Sequence, residues 1–522
     1  MDINEVPANS SGIASSFKLR IAIVTFLIAN LIYKYVKKRQ QDNADRRFGA
    51  KHHCLPAHQR LPYKWPLALD IFKMQYEALM SGHLLKAQSE YIQKNSLAKT
   101  YEAKLLGRIG IFTTDPVNVQ AIIVTHFEDY GLGSRREGFY PMIGEGIFTQ
   151  DGEPWRHSRD VMRRQFVRMQ YQDLKVFEGP VDTLLAELKS SARGIVDLQP
   201  FFFRFTLNTT TSLIFGEPFA GLDPAENEQF QIDFNYSGLI TAMRVRLAEW
   251  HWLYNPTNYK QSCSMGKRYA MQYVDHALKD MNENGTEEAS KRHPFIIDLY
   301  QELRDPVLLR DQLMNVLMAG RDTTACLMTW AFHLLIRHPE ALARLRDEII
   351  STTGESKVIT RAQINKMTYL KYVLNETNRL YAVVPVNVRM ATNTTFLPRG
   401  GGSDGLSPLL VPKGMGIVFS PYHMHRDPDI YGDDANEFRS ERWEDDRLKN
   451  IGLGFMPFHG GPRICLGKDF ALTEASYGIV RILQTFPDIH LPPSCEILPS
   501  GREKQALTLV LSSGEGCNVV LE

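Results

Sequence analysis

Ten residues near the C-terminal end, FHGGPRICLG from Phe458 to Gly467, restrict this chain more than any other stretch of it. Glycines at 460, 461 and 467 free the backbone for a tight turn and a close approach to something flat, and they hold Cys465 in an open loop. A thiolate so presented is the ligand that gives iron enough electron density to favour cleavage of the oxygen–oxygen bond. Arg463 carries the planar fork that grips a carboxylate through two parallel bonds. The competing reading of the segment is a glycine-rich turn around an inert buried cysteine.

The remaining cysteines, Cys54, Cys263, Cys326, Cys495 and Cys517, are scattered with no pair at C-x-x-C spacing. They suggest neither a zinc site nor a disulfide framework, and they fit a reducing compartment. With 522 residues, 43% of them hydrophobic, the chain can bury a large core, and a formal net charge of +1 argues against a nucleic-acid partner.

Residues 1–50 hold the one membrane signal. Phe17 to Val36 reads FKLRIAIVTFLIANLIYKYV, apolar to neutral without interruption from Ile21 to Tyr33, which is short against the roughly 20 residues of a spanning helix. No small-residue cleavage site comes after it, so a retained single-pass anchor over about residues 17–36 is expected rather than a signal peptide. Lys34, Lys37, Lys38 and Arg39 outnumber Lys18 and Arg20 on the other flank, which places the remaining residues in the cytoplasm. Residues 51–68 contain Pro56, Pro62 and Pro66 and read as a stiff hinge. Residues 69–522 show no linker or internal repeat and are expected to form one domain.

Within that domain the pattern is mainly α with a small β portion. Asp311 to Arg337 has apolar residues at helical spacing and stops before His338-Pro339, as a long helix should, while Met415–Ser420 and Leu507–Leu511 read as short strands. In the middle of the long helix stands AGRDTTA, Ala319 to Ala325, where a glycine and paired threonines favour a local distortion. An acid beside an alcohol there can deliver protons. Glu376 and Arg379 share a helix face in ETNR, Arg442 comes later in FRSERW, and Trp155 and Arg159 lie one turn apart in W-x-x-x-R.

These segments resemble the cytochrome P-450 family of heme-thiolate monooxygenases, whose F-x-x-G-x-R-x-C-x-G pattern is matched by Phe458, Gly461, Arg463, Cys465 and Gly467. The likeness runs from the hinge to the C-terminus and is greatest to the fungal branch that oxidises alkanes and fatty acids, through GIFTTDPVNVQAII (Gly110 to Ile123), GEGIFTQDGEPWRHSR (Gly144 to Arg159), LPRGGGSDG (Leu397 to Gly405) and HRDPDIYGDDANEF (His425 to Phe438). The resemblance implies heme b with Cys465 as axial ligand, and Arg463, Trp155, Arg159 and Arg389 beside the propionates. It assigns proton delivery to Asp322 and Thr323, and a structural network to Glu376, Arg379 and Arg442. It also implies NADPH electrons delivered by a separate flavoprotein reductase, since no nicotinamide or flavin motif is read here. Arg463 and Lys468 are candidates for docking that partner, and the endoplasmic reticulum membrane is the expected location.

By position, Phe139, Tyr140, Ile143, Phe148, Leu317, Ala319, Val384, Val386 and Leu507 are candidates to line an apolar pocket for a lipid-like substrate. Three departures from the branch stand near the site or its supports: Ala382 and Val383 where a proline is usual, Ser440 likewise, and His459-Gly460 in place of Asn-Ala. They widen the expected substrates from fatty-acid-like and alkane-like chains to a polyketide of fungal secondary metabolism. Two other readings are a thiolate-heme isomerase or dehydratase without oxygen activation, and a membrane-tethered binding protein without turnover.

Overall fold

The computed structural model describes residues 10–170, 174–192, 194–216, 224–354, 356 and 358–522, and helices account for most of them, with short strands gathered into small sheets. The helices that shape the site are α1 (Ser10–Lys51), α2 (Arg135–Ile143), α3 (Gly152–Gln170), α4 (Leu198–Phe215), α5 (Pro224–Arg246), α6 (Thr257–Asn284), α7 (Pro306–Leu335), α8 (Thr368–Leu380) and α9 (Lys468–Thr485). The strands are β1 (Thr100–Leu105), β2 (Arg108–Thr113), β3 (Tyr130–Gly131), β4 (Asn387–Ala391), β5 (Thr395–Gly401), β6 (Ser407–Val411), β7 (Gly416–Phe419), β8 (Gln505–Leu507) and β9 (Leu511–Ser513).

The long helix α7 starts five residues before the apolar periodicity suggests. Asp305 accepts from the N–H groups of Val307 and Leu308 at 2.8 and 3.2 Å, and Pro306 takes the first position, where its missing N–H costs nothing. Asp-Pro is a start signal that precedes the periodic stretch. From there α7 runs unbroken through Gly320, so the expected distortion is confined to diverted carbonyls. Thr323 Oγ1 donates to Ala319 O at 2.6 Å, and Thr206 Oγ1 of α4 lies 2.6 Å from Arg321 O. Gly320 has a packing reason: a Cβ there would sit 2.6 Å from Thr210 Oγ1, so the glycine lets α4 come close.

Two apolar cores meet on this helix. Leu309 to Met318 packs with α2, α5 and α6, and Ala325 to Ile336 packs with α4, α8 and α9. Residues 319–324 belong to neither core. Near the end of the second half, Trp330 stacks on Tyr381 at 3.9 Å between ring centroids and donates from Nε1 to Leu511 O at 2.9 Å.

The main sheet has the order β1-β2-β7-β4-β3, with only β2 and β7 parallel. It covers one end of the domain and places Arg389, in β4, opposite Ile417 of β7. The stretch read as a single strand at Leu507–Leu511 is a hairpin, with β8 and β9 antiparallel around residues 508–510. Alternating apolar residues at 507, 509 and 511 imitate one strand although the chain reverses between them.

Among the described residues no helix is long and apolar enough to cross a membrane. The C-terminal end of α1 is built into the domain. Thr394 Oγ1 donates to the buried Asp45 carboxylate at 2.6 Å, and His52 stacks on Phe396 of β5 at 4.9 Å. The proline segment after it is extended and hydrogen-bonded along sheet edges: Leu55 N–H to Pro408 O, His58 N–H to Gly400 O and Leu61 N–H to Glu102 O, at 2.8 to 2.9 Å. Residues 51–68 therefore lie against the domain.

Candidate active site

The cysteine loop owes its shape to what lies behind it. Gly461 has φ +62°, and a Cβ there would fall 1.9 Å from Ile123 O; at Gly460 it would meet the Leu453 side chain at 2.7 Å. These glycines serve close packing against the Ala121–Thr125 turn, rather than access for a flat partner. Gly467 is different: the nearest protein atom to its Cβ position is an ordinary contact at 3.6 Å. The loop closes where Cys465 N–H donates to Phe458 O at 3.0 Å. Burial pushes the Cys465 thiol up, and the Gly467 N–H and the Arg159 charge act in the opposite sense. Yet Cys465 keeps exposed surface. Both observations hold if the sulfur faces an internal chamber. Leu466 beside it packs on the core that contains Leu317 and Met318, six and five residues before Thr323 on α7.

Around the loop gathers more positive charge than negative. Arg463 lies over the Trp155 ring at 4.2 Å, bonds to Asp151 at 2.6 Å and donates to Gln150 O at 3.1 Å. Arg159 donates to Ile464 O at 2.7 Å, with Trp155 beneath it at 5.8 Å. Arg389, almost fully buried, donates from Nη2 to His459 Nε2 at 3.1 Å. Arg135, which sequence reasoning missed, lies over Phe139 at 5.2 Å and donates to Asn387 Oδ1 at 3.3 Å. Burial first, and mutual repulsion second, pull Arg389 down to about 9. Burial likewise draws Arg463 and Arg135 down to about 10, with Asp151 as the carboxylate that acts the other way. Three guanidinium groups sharing one acid suit a ligand that brings two carboxylates of its own. With a thiol at an interior surface, this arrangement fits heme: Cys465 would hold the iron, and Arg135, Arg389 and Arg463 the propionates.

In the sequence His459 stands out only as a departure from the branch. Its φ of +63° is a left-handed conformation uncommon outside glycine, in which asparagine, aspartate and histidine are the side chains best tolerated. Gly460 O can only accept, so the 2.8 Å contact from Nδ1 fixes the proton there and leaves Nε2 as the acceptor for Arg389. Burial and the Arg389 charge push the imidazole down to about 3, in keeping with a permanently neutral ring.

On α7, residues 313–318 and 324–335 are buried, whereas Ala319, Gly320, Asp322 and Thr323 retain surface. Asp322 pairs with Arg321 at 3.1 Å, and burial raises its carboxyl above the ordinary value. Arg321 is itself held by Asn235 Oδ1 at 2.7 Å, between the rings of Phe203 and Phe234. A cavity of about 360 Å³ bounded by Gln231, Asn235, Arg321, Asp322, Thr508 and Ser512 among others reaches the acid from the α4 and α5 side.

The Glu-Arg-Arg group is completely buried. Arg379 donates from Nε and Nη2 to the two Glu376 oxygens at 2.9 and 2.8 Å, and Arg442 Nε donates to Oε1 at 2.8 Å. Trp443 Nε1, from the last residue of FRSERW, adds a fourth donor at 3.0 Å. Burial lowers Arg379; in Arg442 burial is outweighed by Glu376 and the net direction is up. The network reaches the cysteine loop through His425, whose carbonyl accepts from Arg379 at 2.9 Å and whose Nε2 accepts from Met456 N–H at 3.0 Å.

Of the pocket candidates, Phe139, Ile143 and Leu317 share one core, with Phe148 against it, while Val386 and Leu507 pack with Trp330 and Tyr381. Ala319 and Val384 are half-buried. Tyr140 stands apart, 42% exposed beneath Arg136 and Lys267. The loop before α3 is clamped to α7: Glu145 N–H donates to Asp311 Oδ2 at 2.9 Å and Phe148 N–H to Asn315 Oδ1 at 3.1 Å.

Comparison with known sequences gives a consistent result. The profile of the family described as Cytochrome P450 matches residues 60–512. A protein named Cytochrome P450 from Arthroderma benhamiae is 41% identical over 511 residues, covering 96% of this chain and 98% of its own. Cytochrome P450 52A5 of Candida maltosa is 41% identical, covering 82% of this chain and 83% of its own. Cytochrome P450 52A1 of Candida tropicalis is 41% identical, with 87% and 86% covered.

Proposed function

Because this chain belongs to the cytochrome P450 family, we propose that it is a heme-thiolate monooxygenase that places one oxygen atom at or near the end of an aliphatic chain, whether fatty-acid-like, alkane-like or polyketide. The heme, when bound through Cys465, supplies activation of dioxygen and its transfer to a C–H bond. The residues of the chain bind, orient and move protons around it.

The observation that carries this reading is the Asp322–Thr323 pair, which keeps surface in the stretch of α7 between its two cores. Thr323 Oγ1 gives its proton to Ala319 O, which leaves its lone pairs turned to accept. Asp322, raised by burial, holds a proton closer to neutral pH than an open carboxylate would, and the cavity beside it, lined by Gln231, Asn235 and Ser512 as well as by apolar side chains, offers a route for that proton. An isomerase or dehydratase has no need of such a path. The test is product analysis with dodecanoic acid, NADPH, a flavoprotein reductase and isotopically labelled oxygen gas. One labelled oxygen in a hydroxylated product supports the reading, and product without label overturns it.

For electron supply, the exposed Lys468, which follows the cysteine loop, and the exposed Arg163, one turn along α3 from Arg159, suit an acidic patch on a reductase. Arg463 is turned inward against Trp155 and Asp151, which leaves it to the propionates rather than to a docking partner. For location, we propose a tether to the cytoplasmic face of the endoplasmic reticulum membrane through α1. Its apolar residues from Ile23 to Val36 are exposed, and basic residues come after them. A second apolar group supports contact with a lipid surface. Trp252 and Leu253 are 60% and 61% exposed, Trp65 and Leu67 are also exposed, and an Arg108–Glu249 ion pair joins the start of β2 to the segment after α5.

A further inference from the structure

Two pairs of neighbouring arginine and aspartate stand on α7, and they are built differently. Arg310 turns both Nε and Nη2 onto Asp311 Oδ1, at 2.9 and 2.6 Å. Arg321 gives Asp322 a single contact, from Nη1 at 3.1 Å, and the same nitrogen donates to Asn235 Oδ1 of α5 at the shorter distance of 2.7 Å. A guanidinium beside a carboxylate ordinarily turns to the carboxylate, which accepts the stronger hydrogen bond. Here a neutral amide has the better share, while Nε of the same guanidinium is buried without a partner. Phe203 of α4 and Phe234 of α5 flank the group at 5.4 and 5.2 Å and help to keep it in the gap between those helices.

The place of Arg321 decides how readily Asp322 keeps a proton. Among the described residues, the charged or titratable groups near Asp322 are Arg321 and the buried Cys326 on its own helix and, across the cavity, Arg204 of α4, which Glu187 holds at 2.8 Å. α5 presents Gln231 and Asn235 to that cavity and the β8–β9 hairpin presents Thr508 and Ser512, all of them neutral. Glu474 of α9 lies farther along, against Thr324. Burial raises the Asp322 carboxyl and the Arg321 charge opposes the rise, so a closer Arg321 would draw it down.

Resting on the assignment of proton delivery to Asp322, we propose that Asn235 is a positioning residue for that step: it holds Arg321 off Asp322, and so keeps the acid able to take up and give a proton.

The test titrates the ferric holoenzyme, Asn235→Ala and Asn235→Asp with pH by infrared difference spectroscopy. Each is read against the same protein carrying Asp322→Asn, which isolates the band of the protonated Asp322 carboxyl. Asn235 is exposed, so neither change at 235 threatens folding. Without the amide, Arg321 turns to Asp322 as Arg310 does to Asp311, and the midpoint should fall by about half a unit or more. With a carboxylate at 235, Arg321 is drawn toward α5 and the midpoint should rise by about as much. Product formed per NADPH consumed, with dodecanoic acid and a flavoprotein reductase, should be about threefold lower in Asn235→Ala, the factor that half a unit represents. The same change should have no effect once Asp322 is replaced by asparagine.

Equal midpoints in all three proteins, or a midpoint that rises in Asn235→Ala, overturn the assignment. So does a loss of product in Asn235→Ala that persists in the Asp322→Asn background, as a merely structural contact would give. Midpoints that move as expected while Asp322→Asn forms product as the parent does overturn proton delivery by Asp322 itself, and this role of Asn235 with it.

Discussion

Arg389 Nη2 and His459 Nε2 stand 3.1 Å apart in a hydrogen bond whose direction is set from the other side of the ring, where His459 Nδ1 donates to Gly460 O. The histidine can only accept, so it steadies a buried arginine without adding to a charge cluster already in excess. His459→Asn tolerates the left-handed backbone but carries a shorter side chain, so Arg389 loses its support. Heme should then leave the protein about tenfold faster, a factor equal to about 1.4 kcal/mol, as measured by transfer to a scavenging apoprotein. Unchanged release would remove His459 from the account.

A second expectation concerns Glu376. Four side-chain donors converge on its carboxylate. Glu376→Gln leaves Arg379 and Arg442 as buried cations without this counter-charge, at a cost of about 3–5 kcal/mol. The purified variant should show a clearly lower unfolding temperature and a reduced ratio of heme to protein. A variant that matches the parent in both would show the network to be dispensable.

Stability should also depend on pH through Glu474. This α9 residue is fully buried, with Thr324 and Thr209 nearest, and burial lifts its carboxyl from an ordinary 4.5 to about 8. The folded state therefore keeps a proton that the unfolded chain releases between about pH 4.5 and 8. Unfolding free energy should fall as pH rises through that window, and Glu474→Gln should flatten the fall. Denaturant melts at both ends of the window measure the difference; parallel slopes for the two proteins would contradict it.

Replacing Asp322 with asparagine removes the titrating group while keeping its size and a hydrogen-bond donor for its surroundings. Product formation should drop by about a hundredfold, within the usual range for a lost proton donor, with substrate affinity unchanged and a larger solvent deuterium effect on turnover. A loss of affinity in place of rate would make Asp322 a binding residue.

The tether makes a separate prediction. Because Asp45, Phe48 and His52 dock the end of α1 on β5 and the residue before it, a protein lacking residues 1–40 should keep its unfolding temperature and lose most of its partition into liposomes. Equal partition would assign membrane contact to the exposed tryptophans alone.

What could be read in the sequence was whatever is local. The Phe458–Gly467 loop, the Glu376–Arg379 spacing and the end of α7 at His338-Pro339 depend on neighbours within a turn or two, and these segments stand where their patterns indicate. Arg442 was legible across 66 positions because the family resemblance supplied its role, whereas Arg135 and the Trp443 indole belong to no motif role and find Asn387 and Glu376 at 252 and 67 positions. No periodicity marks such a pair. Gly461 was read as an approach to a flat partner and instead packs on Ile123 O, and Gly320 was read as a helix distortion and instead lets Thr210 come close to an unbroken helix, since a glycine signals a close approach without saying to what.

The central claim is that Cys465 binds heme iron as a thiolate, and its most direct measurement is the absorption spectrum of the reduced protein under carbon monoxide. The account predicts a strongly red-shifted Soret band in the parent protein and its absence in Cys465→Ala. A red-shifted band that survives in Cys465→Ala would contradict the account.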